Sequence, residues 1–300
     1  MRATSVIFLI VSVVLALIGI VTCAIGVSLA EEQGIELFDT VSDADDNIIY
    51  TYNYAGDGIK KIAIDIGDAD VNIYGGSDAD YIELVNFTQG SYDLTATNLT
   101  LSLVDNSSLL KMFSIGQNGI NFHGFRHYLH SLDLGDKPRS VNVYLTEKSA
   151  VTLLDIAIES GNCSVDNVQL AFDLSIELET GNVVLQNINT TSDLQIKLLS
   201  GSVQSLAVAC RAMQLEAETA GIDLDTFHAE QSVNVDIGAG DIHLFPSRRE
   251  LNGYDVRLTA GQGVIRYFGE SVGAEYTVNS VQDENHAFVI KTGDGNITIE

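Results

Sequence analysis

Hydrophobic and polar residues alternate over much of this chain, in short runs separated by glycine-containing breaks. Apolar residues hold every second position of 154–158, a four-residue polar break with Gly161 follows, and Cys163 and Val165 resume the alternation. Period-two alternation predicts a β-strand that buries one of its faces. The Gly, Asn, Asp and Ser residues of the breaks are typical of tight turns. Each unit is therefore predicted to fold as strand, corner, strand and return.

This unit recurs about every 20 residues, which a search for internal repeats detects directly. The central copies begin at Leu154, Leu174, Leu194, Met213 and Val233. Further copies begin at Ile62, Val256 and Phe288, with a weaker copy at Val141. One unit cannot bury its own inward side chains, so successive units are expected to stack on each other.

We predict an all-β fold, a single-stranded parallel β-solenoid (β-helix) of about 20-residue coils, over residues 59–300. An antiparallel sandwich is the alternative, although a sandwich does not require a register that repeats to within one residue over five copies. Excursions from the stack are expected at about 77–137 and at 268–287. The first should hold a hairpin of Leu99–Val104 with Leu109–Ile115 and a short helix over about 121–133.

The N-terminal segment is apolar throughout, since residues 6–30 carry no charged side chain. Its 25 residues, at about 1.5 Å each, would cross a hydrocarbon core of about 30 Å with some tilt. Arg2 precedes the segment and two glutamates follow it, so the positive-inside rule predicts a single-pass membrane protein with a cytoplasmic N-terminus and an extracytoplasmic C-terminal domain. A cleaved signal ending near Ala30, which would give a secreted protein, and a lipoprotein modified at Cys23 are the alternatives.

Residues 31–58 are predicted to form an acidic linker, in which Tyr50, Tyr52 and Tyr54 alternate as in a strand. The whole chain has 15 Lys and Arg against 41 Asp and Glu, a formal net charge of −26. This charge argues against binding nucleic acid or anionic lipid headgroups through a basic face. Cys163 falls on an apolar core position, so we expect a buried free thiol there; the spacing to Cys210 does not require a disulfide.

Recurrent corners of the form [Ser/Thr]-Gly-[Asp/Asn] followed by alternating hydrophobic residues carry a family resemblance. They occur at 160–165, 180–185 and 292–299, and the opening run 64–73 has the same character. Over about residues 60–300 the sequence resembles the bacterial "putative adhesin" family of β-strand repeat proteins, a domain of unknown function. The resemblance implies a parallel β-solenoid, often behind one membrane helix and in some members near envelope-stress systems. It implies no catalytic residues.

His123, His127 and His130 are the sharpest local cluster. On the predicted helix they share one face, where with Asp133 they could hold a metal ion. The other interpretation is that exposed histidines lie on an ordinary packing helix, and the apolar stripe of the same segment favours this interpretation. Gly124 weakens the predicted helix.

Glu159 and Glu179 should lie one coil apart, about 4.8 Å. Two carboxylates at that distance repel each other unless they are solvated or bridged by a cation such as Ca²⁺. Leu199 would break the acidic column at the next coil. Solvated corners are the simpler interpretation, so we predict no cofactor and keep a Ca²⁺ site as the alternative.

No catalytic residues are predicted, because the sequence has no phosphate loop, Gly-x-Ser-x-Gly or His-Glu-x-x-His motif. The sequence favours a non-enzymatic membrane-anchored solenoid in adhesion, envelope scaffolding or envelope-stress sensing, with a cell-envelope component or a surface protein as its partner. A polysaccharide-active β-helix enzyme is one alternative, which would need two carboxylates and a base in one groove. The bases Lys197, Arg211, Arg257 and Arg266 show no obvious shared face for this. A structural solenoid that self-assembles through open strand edges is the other alternative.

Overall fold

The computed structural model describes residues 48–54, 56–87, 91–105, 114–116, 119–121, 137–246, 251–279 and 286–300. The described residues form β-strands that follow the predicted alternation. In chain order these strands are β1 Ile49–Asn53, β2 Lys61–Asp68, β3 Asp70–Tyr74, β4 Tyr81–Val85, β5 Tyr92–Thr97, β6 Thr100–Asp105, β7 Ser114–Gly116, β8 Gly119–Asn121, β9 Ser140–Tyr144, β10 Leu153–Ser160, β11 Cys163–Asp166, β12 Asp173–Asn189, β13 Asp193–Ala239, β14 Ile242–Phe245, β15 Asp255–Ala260, β16 Ile265–Tyr267, β17 Glu270–Gly273, β18 Glu275–Asn279, β19 Ala287–Asp294 and β20 Ile297–Ile299.

Parallel pairing between successive coils confirms an all-β, largely parallel, solenoid-like stack. The first strand of each coil pairs in register with the first strand of the next, which aligns Leu101, Ile62, Leu154, Leu174 and Leu194 in one buried column. The strands after the corner form a second column in the same way. β12 and β13 run through the corners without a break, and β13 alone covers 47 residues.

The order of coils departs from chain order at both ends of the stack. The final copy, β19 with β20, lies between the coil of Val233 and the earlier copy β15 with β16. At the other end, β6 pairs with β2 and β9 pairs with β3, so the outermost coil combines two strands that are distant in sequence. The prediction that Val141 begins a copy is therefore wrong: Val141 pairs with Val71 and belongs to the second-strand column.

Antiparallel strands cover both ends of the parallel stack. β5 pairs with β6, β4 pairs with β9, and β1 pairs with β4 at one end. At the other end β18 pairs with β15 and β17 pairs with β16. The expected hairpin of Leu99–Val104 with Leu109–Ile115 is wrong in its partner, because β6 forms its hairpin with the preceding strand β5. The tyrosine alternation at 50–54 does mark strand β1, which lies inside the range expected to be linker.

The coil interior is filled by apolar side chains and by two free thiols. Cys163 lies between Val71 and Val183 in the second-strand column, and both Cys163 and Cys210 are buried and free. Burial raises the pKa of both thiols to about 12. Ser205 also points inward, and its hydroxyl is buried without a hydrogen-bond partner.

The corners are locked by direct contact between glycines of adjacent coils. Gly161, Gly181 and Gly201 have φ of 147°, 146° and 148°, conformations that are essentially restricted to glycine. A Cβ at Gly181 or Gly201 would lie 1.6 Å from the carbonyl oxygen of the glycine one coil earlier. Glycine is therefore required at these three corners by both backbone conformation and space.

Polar side chains connect the same corners from coil to coil. The Asn162 side chain donates to Asp70 Oδ1 at 3.0 Å, Asn182 donates to Asn162 Oδ1 at 2.9 Å, and Ser202 donates to Asn182 Oδ1 at 2.6 Å. This ladder explains why Asp, Asn and Ser recur after the corner glycine.

No helix among the described residues is long and apolar enough to cross a membrane. Residues 6–30 and the helix expected over about 121–133 lie outside the described residues, apart from Asn121 at the end of β8.

Candidate functional site

Alternation along the first strands places polar side chains on the outer face, where four consecutive coils form a groove of about 580 Å³. Its floor includes the buried Leu178 and Leu198. Its walls are outward-pointing residues of β12 and β13. The lining side chains, apart from the two leucines, are Glu177, Glu179, Lys197, Leu199, Glu216, Ala217, Glu218, Asn234 and Asp236. We call this feature the acidic groove.

The acidic groove has five carboxylates and one ammonium group. Glu177 and Lys197 face each other in the register of adjacent coils. At the far side Lys291 lies 3.7 Å from Asp236. Leu199 is 45% exposed and adds an apolar contact surface. Its coil lies between the coil of Glu177 and Glu179 and the coil of Glu216 and Glu218. The groove therefore presents a net negative, partly apolar concavity, which suits a positively charged ligand.

The sequence-predicted glutamates are adjacent in the stack, but only one lines the groove. Ile158 pairs with Leu178 and Ser160 pairs with Thr180, so Glu159 and Glu179 occupy neighbouring coils as expected. Glu179 lines the acidic groove and Glu159 does not. Within the described part of the chain, no group of three or more His, Cys, Asp or Glu side chains has a geometry that could hold a metal ion. The cluster of His123, His127 and His130 lies outside the described residues, as does Asp133.

The structure places one of the four bases considered in the sequence in the groove. Lys197 lines it with five acidic residues, whereas Arg211, Arg257 and Arg266 do not line it. Sequence reasoning missed this grouping because it followed the inward positions of the repeat. The outward columns hold the signal: Glu177, Lys197, Glu216 and Asp236 all stand three residues after the start of their copy.

A second surface lies on the outer face of the second strands, near the end capped by β1. Tyr144 stacks between Tyr81 and Tyr74, with ring centroids 4.2 Å and 5.2 Å away. Tyr144 donates its hydroxyl to Glu83 Oε2 at 3.2 Å. Burial, followed by the nearby Glu83 charge, raises the pKa of Tyr144 to about 12.

A polar row runs beside these tyrosines. The register aligns Glu83, Asn142, Asn72 and Ser164 across four adjacent strands. Asn72 Nδ2 donates to Asn142 Oδ1 at 3.0 Å, and Ser164 Oγ donates to Asn72 Oδ1 at 2.6 Å. We call the three stacked tyrosines and these four residues the tyrosine–asparagine face; all seven are half-buried.

The stacked coils, the filled interior and the polar outer columns define a β-strand repeat protein. The sequence profile of the Toastrack DUF4097 family matches residues 59–300, so the chain belongs to this family. No curated protein matches the chain.

Three solved structures to which this chain is similar are described as adhesion or lipid binding proteins. A "putative adhesin" from Bacteroides fragilis is 15% identical, with a TM-score of 0.49 over 87% of this chain and 100% of that chain. A "putative cell adhesion protein" from Clostridium sporogenes is 15% identical, with a TM-score of 0.39 over 84% and 98%. A "putative lipid binding protein" from Parabacteroides distasonis is 12% identical, with a TM-score of 0.41 over 86% and 98%.

Proposed function

We propose that this protein is a non-enzymatic adhesion-type module outside the cytoplasm, held at the membrane by residues 6–30, and that its acidic groove engages a cationic partner at the cell envelope. The acidic groove is the observation that carries the proposal. Five carboxylates surround a single lysine on a rigid sheet, and Leu199 supplies apolar contact in the same concavity. A partner with basic side chains around an apolar residue would complement this arrangement.

Capping strands support a role as a single module. Both ends of the parallel stack are covered by antiparallel strands, so no parallel coil edge in the described part of the chain is left open for another copy. The covering strands β1, β5, β17 and β18 are only four to six residues long, and short edge strands limit edge-to-edge association. The net charge of −26 acts in the same direction at low salt. These features disfavour end-to-end self-assembly.

Co-sedimentation of the protein with isolated envelopes of its source cell tests this function. The groove variant is Glu216→Gln/Glu218→Gln. The matched control is Asp223→Asn/Asp225→Asn, which removes two exposed charges from the same coil on the other outer face. We expect wild type and control to sediment at low salt and the groove variant to bind about tenfold more weakly. In 0.5 M NaCl, where the Debye length falls to about 4 Å, binding should be lost.

Two results would contradict the proposal. Absence of wild-type sedimentation at low salt would exclude envelope binding, and equal binding by the groove variant and the control would exclude the groove.

A polysaccharide-active enzyme is the second candidate, and Lys197 is the observation that favours it. The acidic groove brings carboxylates and a lysine into one concavity, and acid–base cleavage of a glycan uses groups of these kinds. Release of reducing ends or unsaturated products from a polysaccharide by wild type, and its loss in Lys197→Met with folding unchanged, would establish this activity in place of the binding role.

A further inference from the structure

The tyrosine–asparagine face is built as a flat hydrogen-bonding platform. Its polar row crosses four adjacent strands from Glu83 to Ser164. Three strand spacings of about 4.8 Å give this row a length of about 14 Å. The three stacked tyrosines form a parallel row one residue pair further along the same strands.

Cross-strand hydrogen bonds fix these side chains before any ligand arrives. Asn72 bonds to both Asn142 and Ser164, and Tyr144 bonds to Glu83. Each carboxamide still has an N–H that these bonds do not use, and Glu83 has acceptor sites beyond the one that Tyr144 occupies. Ordered donors and acceptors lose little conformational entropy on binding, so the platform is prepared for a ligand rich in hydroxyl groups.

The charge of the face selects among hydroxyl-rich ligands. Its seven side chains include no basic residue, which disfavours polyanions such as nucleic acid or acidic polysaccharide. Of the seven side chains only Glu83 is charged, and its carboxylate accepts a hydrogen bond from Tyr144. Asp166 borders the face beside Tyr74, and its carboxylate accepts a hydrogen bond from Asn187. An uncharged ligand matches this face, whereas a cationic ligand is attracted to the acidic groove on the first strands.

We propose that the tyrosine–asparagine face is a binding site for an uncharged polysaccharide. Asn72, Asn142, Ser164 and Glu83 would hydrogen-bond sugar hydroxyls, and the edges of the tyrosine rings would contact the apolar faces of the sugars. This site goes beyond the proposed function and does not depend on it, because the two surfaces lie on different strand columns.

Affinity electrophoresis in native gels tests the site. The protein is run through gels that contain dextran, mannan, xylan or soluble starch, with and without 0.5 M NaCl in the sample and gel. We expect at least one polysaccharide to retard the wild type, equally at both salt concentrations, since the ligand carries no charge. Asn142→Ala should raise the dissociation constant about tenfold, the equivalent of one lost hydrogen bond.

Tyr144→Phe and Glu216→Gln complete the experiment. Tyr144→Phe keeps the stacked ring, removes the hydroxyl that orients Glu83, and serves as the test variant if Asn142→Ala does not fold by circular dichroism. Glu216→Gln lies in the acidic groove and should be retarded like wild type. The proposal is overturned if none of the four polysaccharides retards wild type, if retardation disappears at 0.5 M NaCl, if both face variants bind like wild type, or if Glu216→Gln loses binding equally.

Discussion

Replacing Gly181 by alanine should disrupt the stack at its centre. The backbone of Gly181 has φ of 146°, and a Cβ there would lie 1.6 Å from the carbonyl oxygen of Gly161 and 2.7 Å from its carbonyl carbon. Real Cβ atoms do not approach other heavy atoms closer than about 3.0 Å, so the two coils must separate locally by well over 1 Å. Side-chain rotation cannot relieve the contact, because both partners are backbone.

Two contributions set the size of the effect. An alanine held in this region of φ costs about 1–3 kcal/mol. Separation of the corners also weakens the hydrogen bond from Gly161 N–H to Thr180 C=O, now 3.1 Å, for about 1 kcal/mol. We therefore expect Gly181→Ala to lower the free energy of unfolding by about 3 kcal/mol, a large share of the 5–15 kcal/mol typical of a folded domain.

Urea unfolding followed by far-UV circular dichroism measures this difference, and Gly221→Ala provides a matched control. Gly221 lies in a corner of the same stack, yet a Cβ there would meet no atom within 4 Å. Gly221→Ala should thus change stability by less than about 1 kcal/mol. If Gly181→Ala unfolds at the same urea concentration as wild type, or if the two variants are equally destabilised, carbonyl contact does not lock the corners and the reasoning is refuted.

Three further substitutions probe the coil interior, at Ser205 and Cys163, and the left-handed backbone at Thr226. Ser205→Ala removes a buried hydroxyl that has no partner and should raise the free energy of unfolding by about 1 kcal/mol; a lower urea midpoint would mean that the hydroxyl is satisfied. Thr226→Asn places a residue that tolerates left-handed backbone at φ of 50° and should raise the thermal midpoint, for a gain of about 0.5–1 kcal/mol; an unchanged midpoint would contradict this strain. Cys163→Val should flatten the loss of stability at alkaline pH. The pKa of this thiol rises from 9.0 to about 12 on folding, so its contribution is intact below pH 9 and is lost between pH 9 and 12, by about 1.4 kcal/mol per pH unit. Urea titrations at pH 8, 10 and 11 check this. If the free energy of unfolding falls equally steeply with pH in wild type and variant, the thiol is excluded as the cause.

The strands and their register could be predicted from the sequence because every inward position is a physical requirement. In the coils that begin at Leu154, Leu174 and Leu194, a one-residue slip would turn each apolar side chain to solvent, so alternation determines the pairing. The glycines at 161, 181 and 201 could be predicted for the same reason, since a side chain there would meet the backbone of the adjacent coil.

The order of the end coils could not be predicted, because alternation reports which side of a strand is buried and not which strand lies beside it. The copies that begin at Val256 and Phe288 have the same pattern, and either could pair with the coil of Val233. The structure inserts the later copy between the two earlier ones. That insertion leaves the coil of Val256 outermost, where β18 can cover it in the antiparallel sense.

The acidic groove was hidden for a related reason. Outward positions are free of packing requirements, so the charges that recur three residues after the start of four copies could not be distinguished from ordinary solvated positions. Glu177 and Glu216 lie 39 residues apart in sequence, and only the alignment of coils brings them to one concavity with Lys197. Leu199 was visible as a break in the acidic column, and the structure gives it a place in the groove.

The same separation of inward and outward positions determines where this fold can carry function. Inward columns are filled with apolar side chains, and the corners at Gly161, Gly181 and Gly201 leave no room for other residues. Only the outer columns can therefore acquire new chemistry without loss of stability. The first strands have accumulated charge there, and the second strands near β1 have accumulated uncharged hydrogen-bonding groups. Salt weakens the binding of ligands that are held by charge and leaves the binding of neutral, hydrogen-bonded ligands unchanged. Salt dependence alone therefore assigns a ligand of this protein to one face or the other.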